Sequence, residues 1–378
     1  MAATSAPPDT TAGGFDSAVV VPPAPARTPG YYVRQRLWAN RPAVTGLIFI
    51  VLCSLVALLG YWILPDNSPD ANNGLVQLQK QPPGFVATLR QVPDPSAPLP
   101  GNLWQQWLHG RPSQVRDELI ASDRLAQTQP TLYQPPSRQP AASSQQQLIT
   151  RRYWLGTDKA GRDELSRLLL GTRISLGIGL VAVIISLVLG ITVGATAGYF
   201  GGWLDSLLLG LMTVVWSIPG IMLVIGISLA LDSKAVWVSF LAVGLTMWVD
   251  VARVVRGQVL GLRSATFIEA GRVLGLPTSR LIFVHLLPNL RGPLIVLATS
   301  NFAAAILLEA GLSFLGLGVQ PPAPSWGLMV KEGYDLLGTT AGLWLTGLPG
   351  LAISLLVLSF NVVGNGLRDA FDPKTPLA

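Results

Sequence analysis

Long apolar runs without charged residues alternate along this chain with short segments that carry arginine and other polar residues. Each run approaches the roughly 20 residues that a helix needs to cross the hydrocarbon core of a bilayer. The pattern therefore predicts an all-α membrane protein with six transmembrane helices. The runs fall at about residues 44–64, 174–200, 204–231, 235–250, 290–308 and 343–363.

Polar segments between the runs predict how the chain is oriented. Arg34, Arg36 and Arg41 precede the first run, so the positive-inside rule places the amino terminus in the cytoplasm. Six crossings return the carboxyl terminus to the same side, next to the arginine-bearing segment 253–280. Residues 1–30, rich in Ala, Pro and Thr, predict a disordered cytoplasmic tail rather than a signal peptide, because the first apolar run starts late and is too long.

The remaining boundaries follow from the same pattern. Residues 31–64 form a cytoplasmic flank and the first helix, and residues 65–173, rich in Gln and Pro, form a large extracytoplasmic loop. Short helices are predicted in this loop at 103–109 and 113–125, and the rest, including 127–147, is predicted to be poorly ordered. Residues 174–364 form the membrane core with helices two to six, and residues 365–378 form a cytoplasmic tail.

Composition narrows the possible functions. Half of the 378 residues are hydrophobic and 12% are charged, against about 25% charged in ordinary soluble domains. The net charge of +6 does not indicate a nucleic-acid partner, since the arginines lie between apolar runs. With Cys53 alone, and with His109 and His285 far apart, we expect no disulfide, no metal site and no cofactor.

Several residues inside the runs predict packing or polar function. Gly190, Gly194 and Gly198 recur every four residues, which favours close approach of another helix. Pro219 predicts a kink in the third span.

Three charged residues lie within or beside the spans. Asp250 and Arg253 are three residues apart on one helical face and are able to pair, either at the membrane boundary or in a polar interior. Glu309 is predicted to end the fifth span, ahead of a Gly/Pro-rich outer segment at 311–326.

The segment 265–289, ATFIEAGRVLGLPTSRLIFVHLLPN, predicts a short helix across the cytoplasmic base of the bundle. Thr266 and Glu269 have the spacing of a capping box, Gly275 suits a left-handed carboxyl-terminal cap, and Pro277 prevents continuation. A second helix is predicted from Thr278 or Ser279 to Leu287. A helix of about eight residues is marginal alone and needs something to pack against.

At these residues the chain resembles the permease subunits of bacterial ABC importers. Their signature is Glu-Ala-Ala, three residues, Gly, nine residues, then Ile-x-Leu-Pro. Gly271 replaces the second alanine, and His285 replaces the isoleucine, as is frequent in the peptide-transporting branch. The matching positions here are Glu269, Ala270, Gly271, Gly275, His285, Leu287 and Pro288.

Other segments resemble the C-type subunit of oligopeptide and dipeptide permeases. The terminal segment 364–374, GNGLRDAFDPK, is similar to the family's GDGLRDALDPK, with Asn365 and Phe371 as departures. The resemblance is weak over 31–64 and strong over 153–375, and most of 77–147 resembles nothing in the family. The further matching segments are LGTDKAGRDELSRLLLGTRISLGIG (155–179), WVDVARVVRGQ (248–258) and LSFLGLGVQPPAPSWG (312–327).

The resemblance implies the ABC importer type I permease fold in a bacterial inner membrane. It also implies that 264–288 is the coupling segment seated on an ATPase subunit, and that 310–335 is where an extracytoplasmic substrate-binding protein docks. A second, B-type permease subunit and two ATP-binding subunits are the further implied partners. The implied cargo is peptides; nickel chelates, haem and antimicrobial peptides remain open alternatives.

The chain itself is not expected to be an enzyme. A phosphate-binding P-loop needs Gly-Lys-Ser/Thr, and no lysine follows a glycine here, so ATP is expected on partner subunits. An intramembrane enzyme is a weaker alternative that would rely on Asp250 and Glu309 as a carboxylate pair. A stand-alone channel or secondary transporter is a further alternative, which would not need the coupling signature. Asp250, Arg253 and Glu309 are the candidate pathway residues.

Overall fold

The computed structural model describes residues 29–119, 147–231 and 236–372, and these are mostly helical. The predicted disorder of 1–30 and 127–147 lies outside the described residues, except that Pro29 and Gly30 begin the first helix and Gln147 begins a strand. In chain order the helices are α1 (Pro29–Ala39), α2 (Arg41–Leu59), α3 (Leu103–His109), α4 (Glu164–Phe200), α5 (Gly202–Trp216), α6 (Gly220–Ala230), α7 (Val236–Leu262), α8 (Thr266–Val273), α9 (Arg291–Phe314), α10 (Trp326–Tyr334) and α11 (Thr340–Phe371).

Helices long and apolar enough to cross a membrane coincide with the predicted runs. Within the described residues there are five, and a sixth crossing results if the bent pair α5 and α6 counts as one span. Several helices extend beyond the apolar runs, and α9 continues past Glu309 to Phe314, so the prediction that Glu309 ends the fifth span is wrong. A single acidic residue does not stop a helix whose neighbours bury it. The five are Arg41–Trp62, Glu164–Phe200, Val236–Leu262, Arg291–Phe314 and Thr340–Phe371.

Pro219 breaks the third span rather than kinking it. Helix α5 ends at Trp216, α6 begins at Gly220, and the two are bent by 89°. Pro219 has an extended conformation, and its carbonyl oxygen accepts the first backbone hydrogen bonds of α6, from Met222 and Leu223. The proline ring disfavours helical geometry in the residue before it, so one helix ends and another begins.

The predicted glycine face of α4 packs directly against α7. A methyl group at Gly190 would lie 2.9 Å from the Trp248 carbonyl oxygen, and one at Gly198 would lie 2.8 Å from that of Arg256. Gly194 lies between them and faces Ala252. Along this interface, residue numbers rise in the same direction on both helices, so α4 and α7 run parallel. The backbones approach this closely because three side chains are missing from one face.

The predicted loop contains a small antiparallel sheet, in the order β2-β1-β3. Strand β1 (Phe85–Pro93) pairs with β2 (Val115–Leu119) and β3 (Gln147–Tyr153). The helix predicted at 103–109 is confirmed as α3. The helix predicted at 113–125 is wrong over 113–119, and residues 120–125 lie outside the described residues. Its residues 115–119 are a strand, because β1 supplies the backbone partners that a sequence window does not contain.

Because α4 and α7 are parallel, the bundle has two distinct ends. The sheet precedes α4 and marks one end, which we call the sheet end. Helix α8 follows α7 and marks the other, which we call the α8 end. Between them, α2, α9 and α11 share an apolar core in which Cys53 is buried and Phe302 stacks on Phe360 with 4.1 Å between ring centroids.

Candidate coupling and translocation sites

Helix α8 lies across the ends of α4 and α7. Its buried positions are Ile268 and Gly271, and Ile268 packs with Val255 and Val259 of α7. The Arg272 guanidinium lies 5.3 Å from the ring centroid of Tyr199, near the end of α4. The bundle therefore supplies the packing that so short a helix needs.

The predicted capping box at the start of α8 does not form. Ala265 is the N-cap residue, no side chain caps the helix, and Thr266 is already its first helical residue. The reason is a tight turn after α7, in which the Ala265 N–H bonds to the Leu262 carbonyl. The helix thus begins one residue earlier than predicted, and Glu269, no longer three residues after the cap, is exposed.

The carboxyl-terminal end of α8 is as predicted. Gly275 has a φ of +73°. The Leu276 N–H donates to the Gly271 carbonyl at 3.1 Å, and the Gly275 N–H donates to the Arg272 carbonyl at 2.9 Å. These two bonds form a Schellman motif. Gly271, the departure from the family's alanine, has Leu281 against it, since a methyl group there would lie 2.7 Å from Leu281 Cδ2.

The second helix predicted from 278 to 287 is also present, with a π-helical middle. It consists of Thr278–Arg280, the π-helix Leu281–Leu286 and Leu287–Asn289. Pro288 has no N–H to donate to the carbonyl four residues earlier, so a local widening of the helix is expected there. His285 is half-buried in this segment, and its carbonyl accepts a hydrogen bond from the Asn289 side chain at 2.6 Å.

Large apolar side chains are exposed on α8 and on the segment after it. Exposed fractions reach 87% for Val273 and 78% for Leu274. Soluble surfaces seldom carry such a concentration of apolar side chains unless they meet a partner. We call this set the coupling patch: Phe267, Val273, Leu274, Phe283 and Val284.

A second candidate site is a groove of about 510 Å³ between α5 and α7, lined by Leu209, Thr213, Trp216, Arg253 and Arg256. The Arg253 guanidinium lies 4.5 Å from the Trp216 ring centroid, and its Nη2 donates to Thr213 Oγ1 at 3.4 Å. The Arg253 Nε is buried and has no hydrogen-bond partner within the part of the chain that the structure describes.

The predicted pairing of Asp250 with Arg253 is wrong. Asp250 accepts a hydrogen bond from Trp216 Nε1 at 3.2 Å, and Arg253 stacks on the same indole. Each of the two charged groups contacts Trp216 instead of the other, which helical spacing on α7 alone does not reveal. One turn further along α7, Arg256 forms a bidentate ion pair with Asp205, with distances of 2.5 and 2.7 Å.

Glu309 does not share the groove. It is 1% exposed inside the bundle, where it accepts a hydrogen bond from Ser313 Oγ at 2.7 Å, while Asp250 is exposed. The two carboxylates therefore do not face one site. Among the described residues, no cluster of three or more His, Cys, Asp or Glu side chains has the arrangement of a metal site.

A buried group of charged residues at the sheet end was not predicted. Asp158 accepts hydrogen bonds from Arg162 Nε at 2.6 Å and lies 3.4 Å from Arg167 Nε. Glu332 of α10 lies 3.3 Å from Arg162 and 3.9 Å from Arg167. All four are nearly inaccessible, and Arg167 is 0% exposed. We call them the sheet-end charge cluster.

The sheet-end charge cluster joins the segment around α10 to the start of α4. Arg167 Nη1 also donates to the Pro322 carbonyl at 3.3 Å, and Trp326 Nε1 donates to the Leu168 carbonyl at 2.9 Å. Beside it, Asp163 caps α4 by accepting from the Ser166 N–H at 2.9 Å. Burial raises the pKa of the Asp163 carboxyl, and the Ser166 hydrogen bonds oppose that rise. The only signal in the sequence was the concentration of charge just before an apolar run.

The chain is similar to known transport proteins over most of its membrane core. A family model described as binding-protein-dependent transport system inner membrane component matches residues 190–376. Another, described as the N-terminal TM domain of oligopeptide transport permease C, matches residues 28–83.

This chain matches more than two thirds of the length of individual relatives. The dipeptide transport system permease protein DppC of Alkalihalophilus pseudofirmus is 38% identical over 256 residues, which are 68% of this chain and 79% of the relative. The oligopeptide transport system permease protein OppC of Bacillus subtilis is 40% identical over 225 residues, 60% of this chain and 73% of the relative. OppC of Escherichia coli K12 is 42% identical over 222 residues, 59% and 72% respectively.

Solved structures show a fainter similarity. The match to a chain from an inward-facing crystal form of the MetNI methionine ABC transporter covers 55% of this chain and 97% of the MetNI chain, at 19% sequence identity and a TM-score of 0.47.

Proposed function

Since this chain belongs to the family of binding-protein-dependent transport system inner membrane components, it is a multi-pass permease subunit of an ABC transporter, and we propose that it forms half of an import pathway for peptides. The relatives named for oligopeptide and dipeptide transport support this cargo. The observation that carries the proposal is the coupling patch on a short, supported helix at the end of α4 and α7.

In the proposed orientation, the α8 end and both termini are cytoplasmic and the sheet end is extracytoplasmic. Arg34, Arg36 and Arg41 before α2 agree with this, because cytoplasmic flanks carry the excess of arginine and lysine. The two ends of the described chain also lie together, since Arg36 Nη1 donates to the Asp372 carbonyl at 2.5 Å.

Helix α8 is proposed to transmit the motion of an ATP-binding subunit. The exposed apolar side chains of the coupling patch would seat in a cleft of that subunit, with Glu269 and Arg272 at its rim. Ile268 and the Arg272–Tyr199 contact connect α8 to α7 and α4, so a displacement of α8 moves the bundle as a rigid body. Two ATP-binding subunits would act on this subunit and on its B-type partner.

The groove between α5 and α7 is proposed to line the translocation pathway. Asp250 lies about 18 Å along α7 from its end at Leu262, at 1.5 Å per residue, so we place it within the span and not beyond it. Intramembrane charges are costly against lipid and face protein or water instead. This face would therefore meet the B-type subunit or a water-filled path, and the Arg253 guanidinium, which lines the groove over Trp216, is the group proposed to meet passing cargo.

The segment 310–335 is proposed to receive the substrate-binding protein. It resembles the outer docking segment of the family, and the sheet-end charge cluster anchors it to α4 through Glu332. Buried, multiply bonded charges favour one arrangement of that segment over looser ones.

The coupling assignment is tested by changing the coupling patch and a matched surface elsewhere. Leu274→Glu places a charge in the patch, where the native side chain is 78% exposed; Val76→Glu does the same at the sheet end, where Val76 is 70% exposed. We expect Leu274→Glu to lose co-purification of the ATP-binding subunits and peptide uptake, and Val76→Glu to retain the subunits. Equal retention by both variants would refute the assignment.

The cargo requires a separate measurement. In proteoliposomes containing the assembled transporter and its binding protein, we expect ATP-dependent accumulation of labelled di- to pentapeptides. ATP-dependent accumulation of nickel chelates or haem, without accumulation of any peptide, would replace the proposed cargo while leaving the coupling assignment intact.

A further inference from the structure

Helix α3 exposes apolar side chains although it lies outside the membrane core. Leu103 is 75% exposed and Trp104 is 67% exposed. This helix belongs to the part of the loop that resembles no family segment. An exposed tryptophan and leucine on a short helix indicate contact with something other than water.

The structure attaches α3 to the last turn of α2. Trp107 Nε1 donates to the Leu58 carbonyl at 2.6 Å. Arg173 of α4 lies over the Trp107 ring at 4.3 Å, and its Nη1 donates to the Trp107 carbonyl at 2.7 Å. These contacts therefore fix the position of α3 beside the end of α2, at the sheet end of the bundle.

The exposed surface of α3 continues the exposed apolar surface of α2. Along α2, Leu55 is 50% exposed and Leu58 is 60% exposed, and Trp62 follows at 70%. Trp62 and Leu103 line one groove of about 350 Å³, together with Tyr61, Asn67, Gln106 and Arg111. Apolar residues thus give way to tryptophan and then to polar groups along the direction in which a span leaves a bilayer.

We propose that α3 is an interfacial anchor that lies on the outer boundary of the bilayer. Trp104 and Leu103 would enter the region between headgroups and acyl chains, and the groove beside Trp62 would hold a lipid. Tryptophan suits this region because its ring is apolar and its N–H is polar. Amphipathic helices lie about 5–10 Å into this boundary.

Lipid fits better than a protein partner because the surface continues that of a membrane-spanning helix. The inference needs only the insertion of α2 in a membrane, and not the identity of the cargo. Its consequence is that the β1–β3 sheet, which precedes and follows α3 in the chain, stays close to the membrane surface.

The accessibility of spin labels on α3, compared with that of two reference labels, tests the proposal in the assembled transporter. In a Cys53→Ala background, labels are placed at Trp104→Cys and, as a second variant, Leu103→Cys. Leu52→Cys, 55% exposed within α2, is the lipid reference, and Val76→Cys, 70% exposed at the sheet end, is the water reference. The samples are nanodiscs of phosphatidylethanolamine and phosphatidylglycerol, probed by collision with oxygen and with a water-soluble nickel chelate.

For labels at residues 103 and 104, we expect more frequent collision with oxygen and less frequent collision with the nickel chelate than for the label at residue 76. Both values should approach those of the lipid reference at residue 52. Values equal to those at 76 would overturn the proposal and leave α3 in water. Low collision with both reagents would also overturn it, since the helix would then be covered by protein.

Discussion

Replacing Gly194 with alanine places a methyl group where α4 and α7 meet. The added carbon would collide with the Ala252 carbonyl oxygen and lie 2.9 Å from Val255 Cβ. Carbon atoms pack best at about 3.5–4.0 Å, so α7 would have to withdraw by about 0.6–1.1 Å. Backbone atoms of a helix cannot rotate aside as a side chain can, so the strain is spread along the interface.

The magnitude follows from two opposing effects. Overpacking costs about 1–3 kcal/mol, and more where backbone is displaced. Alanine offsets about 1 kcal/mol of this because it favours helix over glycine. We therefore expect Gly194→Ala to lower the free energy of unfolding by about 1–2 kcal/mol, taking the upper part of the overpacking range because the obstacle is backbone.

The assay is thermal unfolding of the purified chain, with ATP-dependent uptake as a second readout because α7 leads directly into α8. Gly177→Ala is the control on the same helix, since its added carbon would lie 3.8 Å from Phe240, an ordinary contact. We expect Gly177→Ala to be neutral or slightly stabilising. If Gly194→Ala matched this control in both readouts, the close approach of α4 and α7 would be refuted.

Three further predictions concern the other sites. Glu332→Gln should lower the free energy of unfolding by about 3 kcal/mol in thermal melts, which is the lower end of the cost of breaking a buried ion pair, because Asp158 remains as a partner of both arginines. The control Glu118→Gln, at the exposed Arg90–Glu118 pair, should lower it by about 0–1 kcal/mol. Equal losses of stability in the two variants would contradict the buried cluster. Gly275→Val should lower the free energy of unfolding by about 1–2 kcal/mol, because φ is +73° at this position, and should uncouple ATP hydrolysis from uptake. The control Gly257→Val, which also adds a side chain in open space but at a position without a positive φ, should leave coupling intact. Identical behaviour of the two variants would contradict the role of the cap. Arg253→Gln should reduce uptake without loss of the ATP-binding subunits, and Arg253→Lys should restore it only partly, since lysine lacks the planar group that stacks on Trp216; full uptake by Arg253→Gln would remove it from the pathway.

Glu269→Ala separates two explanations of the family signature. The capping box would have made this change destabilise α8, but Ala265 is the cap and the Glu269 side chain is exposed. The structure therefore predicts unchanged thermal stability and weakened association of the ATP-binding subunits. A fall in stability with normal association would indicate a structural role for Glu269.

Features that depend on neighbouring residues were predictable from the sequence alone. The spans follow from the length of charge-free runs, because a bilayer imposes one length on every crossing helix. The left-handed cap at Gly275 and the glycine face of α4 follow from the backbone freedom of glycine, and the restricted backbone of Pro219 predicted a bend in the third span but not its full break. The resemblance at Glu269, Gly275 and Pro288 likewise depended only on spacing along the chain.

Features that depend on residues far apart in the chain were decided by the tertiary structure. Asp250 and Arg253 have pairing geometry on α7, but each of them contacts Trp216 from α5 instead. Residues 115–119 became a strand because β1 was adjacent. The sheet-end charge cluster joins Arg162 to Glu332, which no local pattern connects, because a buried charge is tolerated only where the fold brings its partner.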